Sequence, residues 1–112
     1  MAARCRAWQC IHKNEMTNGL LEFEWDPKKA ARNLRKHRVS FREAAMVFGD
    51  VLAFTYDDSL HSQGEQRYVT IGMSDQARVL VVAHTTQREL VRIISARKAT
   101  RREIEAYEKE SK

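Results

Sequence analysis

At 112 residues the chain has room for one hydrophobic core, which excludes a two-domain enzyme. Hydrophobic residues make up 43% and charged residues 31%, with 4 glycines and 1 proline, which excludes a disordered tail and a collagen-like repeat. Lys and Arg number 20 against 15 Asp and Glu, and the net charge of +5 points toward a polyanionic or acidic partner.

Residues 1–19 carry no sustained period and read as a poorly ordered extension, or as the product of an upstream start, ahead of a domain spanning 20–112. Leu21, Phe23 and Trp25 alternate with Glu22 and Glu24, the period of a half-buried strand. Asp26-Pro27 then opens a helix, with a capping carboxylate followed by a proline suited to the first helical position. Ala30, Ala31 and Leu34 form a narrow apolar stripe on it, and the helix is expected to end near His37. Ser40 and Glu43 form a capping box for a second helix, with Phe41, Ala44, Ala45 and Phe48 at helical spacing before Gly49. Val51–Tyr56, Arg67–Met73, Arg78–Thr86 and Leu90–Ser95 read as strands. Short hairpin links follow the second and third of these, whereas Asp57–Glu65 is a longer loop carrying His61 and Gly64. Val79–Ala83 is apolar enough to lie centrally, and Thr100 with Glu103 caps a last helix bearing Ile104 and Tyr107. The expected fold class is α+β, a single mostly antiparallel twisted sheet with two N-terminal helices and a C-terminal helix.

No run approaches the ~20 apolar residues of a membrane span, and the amino terminus lacks the apolar block of a secretory signal. A cytoplasmic location and no membrane partner are therefore expected. Cys5 and Cys10 have no second cysteine pair to complete a zinc site, and His37, His61 and His84 are widely spaced. No metal or other cofactor is expected.

Phe23-Glu24-Trp25-Asp26-Pro27, Asn33, Lys36-His37-x-Val39-Ser40-Phe41-x-Glu43-Ala44, Glu65-x-Arg67, Ile71-Gly72 and Arg92-Ile93-Ile94-Ser95-Ala96-Arg97, with Ala99 and Glu103, carry a resemblance. Together they resemble the BrnT family, toxins of type II toxin–antitoxin systems, over Leu21 to Tyr107. The resemblance implies a RelE-like fold, endoribonuclease activity that halts translation, and a cognate ribbon-helix-helix, BrnA-like antitoxin. The family commonly has glycine where this chain has Arg38, a position after a helix end that favours positive φ.

RNA cleavage without a metal needs a base for the ribose 2′-hydroxyl, an acid for the leaving oxygen, and cations for the charge of the transition state. Arginine suits the last task because its planar fork grips phosphate oxygens. Arg67, Arg92 and Arg97 are the leading catalytic candidates, expected to gather at one end of the sheet, with neutralisation of each by a carboxylate as the structural alternative. Glu65, as base or as orienter of Arg67, completes the candidate set with a proton carrier: His61 and His84 both suit that task, His61 being better placed in the long loop and His84, in a strand, having a satisfied core residue as its alternative. Lys36, His37, Arg35, Lys98 and Arg101 are the candidate RNA-binding cations, and the same basic faces suit an acidic antitoxin segment. A noncatalytic nucleic-acid-binding module is the alternative function.

Overall fold

A computed structural model describes residues 21–58 and 64–110. The expectations for residues 1–19 and for His61 lie outside those residues. In chain order the elements are β1 (Glu22–Glu24), α1 (Pro27–His37), α2 (Phe41–Met46), a 3-10 turn (Val47–Gly49), β2 (Phe54–Asp57), β3 (Tyr68–Met73), β4 (Val79–Gln87), β5 (Leu90–Lys98) and α3 (Arg101–Glu110). The described residues form an α+β fold, one mixed five-stranded sheet in the order β1-β5-β4-β3-β2 with three α-helices. β2 to β5 pair antiparallel, whereas β1 joins the edge of β5 in parallel. Among the described residues no helix is long and apolar enough to cross a membrane.

Local chemistry explains the element ends. The Asp26 side chain accepts from the Lys28 amide at 3.0 Å, and Pro27 opens α1. At Ser40 the capping box is only half made: the hydroxyl accepts the Glu43 amide at 3.0 Å, but the Glu43 carboxylate turns inward. There it accepts from Ser74 Oγ at 2.7 Å and Arg78 Nε at 2.9 Å, with a further bond from Arg78 Nη2. Burial alone would raise the Glu43 carboxyl, and the hydrogen bonds from Arg78 and Ser74 outweigh it, holding the group below the usual range. The box before α3 is complete, with the Thr100 amide donating to Glu103 and the Glu103 amide donating to Thr100 Oγ1.

Two expectations are corrected. Val51 and Leu52 form an exposed turn rather than the start of a strand. Asp50 organises that turn by accepting from the amides of Leu52 and Met73 and from the Tyr107 hydroxyl. Of the Ala30, Ala31 and Leu34 stripe on helix α1 only Ala30 packs against the core: Ala31 and Leu34 are exposed, and the buried residue of the helix is Asn33. Its amide donates to the carbonyls of Val39 and Ala96 at 2.9 and 2.8 Å and accepts from the Ala96 amide at 3.2 Å, so polar bonds seat the helix on β5.

The main core lies between the sheet and α1–α2, built on Phe23, Phe41, Leu80, Val82, Val91 and Ile93. Gly72 is needed there, because a Cβ would come within 2.6 Å of Ala53 Cβ. A smaller cluster of Val69, Ile71, Val81 and Tyr107 sits under α3 on the opposite face.

Arg38 ends α1 in the left-handed region, with φ 60 and ψ 31, and its amide donates to the Leu34 carbonyl. A non-glycine residue there costs about 1 kcal/mol. Arg38→Gly is therefore expected to stabilise the protein by about 1 kcal/mol, read as a higher urea midpoint at unchanged slope. An unchanged or lower midpoint contradicts that assignment.

Candidate functional site

Directly paired residues in a sheet share a face, so the register maps the site. One row on the α3-facing side runs Glu24, Arg92, Thr85; the next runs Ser95, Ala83, Val69, Tyr56; the third runs Arg97, Val81, Ile71, Phe54. Arg92 and Arg97 are an odd number of residues apart, and strict alternation would put them on opposite faces. A bulge brings them together: Ala83 pairs with Ser95 and His84 with Ile93, leaving Ile94 extra on β5 and resetting the alternation. Helix α3 covers the third row through Tyr107. The middle row has only Ser95 and Ala83 beside the arginines, which makes it a shallow groove with small side chains on its floor.

The two arginines do not converge on one point. Five residues of strand separate their Cα atoms by about 15 Å, so they flank the groove from opposite sides. Arg92 donates from Nε to the fully buried Glu24 at 2.7 Å and from Nη1 to Glu65 at 2.9 Å. Glu65 therefore pairs with Arg92, not with Arg67. Arg97 grips both oxygens of Glu103, Nη1 at 2.8 Å and Nη2 at 2.9 Å. Arg67, two residues ahead of Val69, is half-buried, and its carbonyl accepts from the Asp58 amide. The single arginine cluster expected from the sequence is thus replaced by two ion-paired centres on one face.

The hydrogen bonds from Arg97 hold the Glu103 carboxyl down at about 2, and Glu103 in turn raises the Arg97 guanidinium. The pair stays ionised across the physiological range. Tyr56, exposed at the end of the middle row, is raised by partial burial and by the nearby charges of Glu103 and Asp58, against the opposing effect of Arg97. Its hydroxyl keeps its proton at neutral pH. Tyr56 was not singled out from the sequence; its only signal there was an aromatic in a strand.

The expected RNA-binding residues do not form one surface. Lys36 and His37 line a cavity of about 250 Å³ together with Lys29, Arg32 and Ser95. Arg35 is exposed on α1 but does not line it, and Arg101 is exposed at the start of α3. Lys98 pairs with core residue Leu80, so it projects from the opposite face, near Glu43. His84 is buried, with Nε2 2.7 Å from Thr70 Oγ1 and Nδ1 3.0 Å from Thr86 Oγ1. Burial pushes it down to about 4, so it is a neutral core histidine at neutral pH. Among the described residues no group of three or more His, Cys, Asp and Glu is placed to hold a metal.

The family model described as the ribonuclease toxin BrnT of type II toxin–antitoxin systems matches residues 25–103, which include every row of the groove except Glu24. The chain belongs to the BrnT family. The crystal structure of the Brucella abortus ribonuclease toxin BrnT is similar to this BrnT-family chain at 19% identity and a TM-score of 0.52, covering 72% of this chain and 96% of that one. At that identity the likeness speaks for the fold. No curated protein matches the chain. Membership in the BrnT family makes this chain a ribonuclease toxin, with RNA as its substrate and an antitoxin as its partner.

Proposed function

We propose that this toxin cleaves RNA in the groove over Ser95 and Ala83 without a metal ion, and so arrests translation in the cytoplasm until a ribbon-helix-helix, BrnA-like antitoxin neutralises it. The ribose 2′-oxygen attacks the adjacent phosphorus and the bond to the 5′-oxygen breaks, giving a 2′,3′-cyclic phosphate and a 5′-oxygen that takes a proton from solvent water to become the 5′-hydroxyl. Arg97 stabilises the extra negative charge: Glu103 occupies its two terminal nitrogens end-on, leaving the Nε side of the fork for a phosphate oxygen. Tyr56 donates a hydrogen bond toward the same developing charge. Glu65 accepts the 2′-hydroxyl proton, and Arg92 acts as its positioning residue through the 2.9 Å bond. Arg67 contributes further positive charge at that end of the groove.

The observation that carries this reading is the bulge at Ala83/His84, which sets Arg92 and Arg97 on one face, on either side of a floor of small residues. Induced expression tests it. Growth is expected to stop with the wild-type chain, to resume when the neighbouring antitoxin frame is co-expressed, and to continue with Arg97→Ala. Growth arrest by Arg97→Ala equal to wild type counts against the assigned centre.

A further inference from the structure

We infer that the cavity between α1 and the outer edge of β5 is a second phosphate subsite, which takes an RNA phosphodiester flanking the one in the groove. This rests on the reading that the groove takes RNA. Lys29, Arg32 and Lys36 recur at three- and four-residue spacing, so their side chains share one stripe of α1, about 10 Å long. Among the described residues none that lines the cavity of about 250 Å³ is acidic, and His37 lines it as well. Asn33 lies in the same wall, but its Nδ2 is already committed to the carbonyls of Val39 and Ala96 and its Oδ1 to the Ala96 amide. The cavity therefore offers charge rather than donors and acceptors arranged to read a base, which fits phosphate better than nucleobase.

Continuity identifies the occupant as RNA rather than an acidic peptide. Ser95 lines this cavity and is also the first residue of the groove floor, paired with Ala83. The extra residue Ile94 lines it as well, so the same bulge that aligns Arg92 with Arg97 opens the groove sideways onto the cations of α1. A strand lying across Ala83 and Ser95 passes directly to Lys36 and Arg32. Asn33 fixes the distance between the two sites by holding α1 against β5.

The test is a Lys29→Gln/Arg32→Gln/Lys36→Gln variant, with Asn33 retained so that α1 stays docked, beside a charge-preserving Lys29→Arg/Arg32→Lys/Lys36→Arg control. Affinity for a single-stranded oligoribonucleotide is measured by fluorescence anisotropy over a range of salt, and the cleavage rate at saturating RNA is measured in parallel. Loss of the cations that neutralise this phosphodiester is expected to weaken binding at least about tenfold at low salt and to flatten the log–log salt slope by about 0.7. The charge-preserving control should bind as wild type. Unchanged affinity and slope in the glutamine variant overturns the subsite. So does unchanged RNA binding with loss of antitoxin binding, which would give the cavity to an acidic segment. If the wild-type chain shows the predicted salt slope and its loss in the variant, yet leaves RNA uncut, the cleavage reading fails and the subsite stands.

Discussion

Arg97→Ala is expected to reduce the RNA cleavage rate by roughly 100- to 1000-fold while leaving the protein folded. The Arg97 side chain is 42% exposed, so its ion pair with Glu103 is screened, and losing it costs about 1 kcal/mol or less. Glu103 keeps its bonds to the Thr100 amide and hydroxyl, so α3 still starts where it does. Arg92→Ala, which also removes the bond that positions Glu65, is expected to cost the stability that Arg97→Ala spares. Arg92 is 10% exposed and its partner Glu24 is fully buried, so removing the guanidinium takes the balancing charge from a carboxylate in the core. A loss of about 3 kcal/mol follows, visible as a fall in Tm of about 12 °C or more. Paired thermal melts and single-turnover cleavage separate the two. A stable, inactive Arg92→Ala protein beside an active Arg97→Ala protein would reverse the assignments.

Acidification from pH 6.5 to 4 is expected to cost about 3 kcal/mol of stability through His84. The folded value near 4 lies below the ordinary 6.5, so between them the unfolded chain binds a proton that the native chain refuses. The contribution is complete above pH 6.5 and is lost as the pH falls toward 4. Among the described residues the groups facing the ring are Phe48, edge-on at 4.9 Å, Tyr68, stacked at 6.0 Å, and the hydroxyls of Thr70 and Thr86, none of them a carboxylate that would welcome the charge. Carboxylates lowered by their partners, such as Glu43 and Glu103, add the same sign of dependence at lower pH. Urea midpoints of wild type and His84→Gln across this range isolate the histidine. The variant, though less stable overall, should lose the slope of up to about 1.4 kcal/mol per pH unit. The same slope in both proteins contradicts the assignment.

The local features of the fold were legible in the sequence because local chemistry produces them. Alternation from Leu21 to Trp25, the Asp26-Pro27 start of α1 and the Thr100–Glu103 box each rest on a few neighbouring residues. Non-local choices were not. The parallel docking of β1 on β5 depends on Glu24 meeting Arg92 across the fold, and the sequence does not say which carboxylate a buried arginine selects. Asn33 was read as part of a motif, but its role as the polar seat of α1 needs the Ala96 backbone, 63 residues away, to be in view. The groove was hidden for a similar reason. Simple alternation separates Arg92 from Arg97, and only the unpaired Ile94 reunites them. Lys29 and Arg32 share a cavity with Ser95 only because α1 lies beside β5, which helical spacing alone does not reveal.

The central claim, that the arginine-flanked groove directs attack by the ribose 2′-hydroxyl, is tested most directly by the ends of the cleaved RNA. A single-stranded oligoribonucleotide incubated with the purified chain in excess chelator should yield fragments ending in 2′,3′-cyclic phosphate and starting with 5′-hydroxyl, and Arg97→Ala should yield them far more slowly. Intact RNA in chelator, with 5′-phosphate fragments appearing only when a divalent metal is restored, would contradict it.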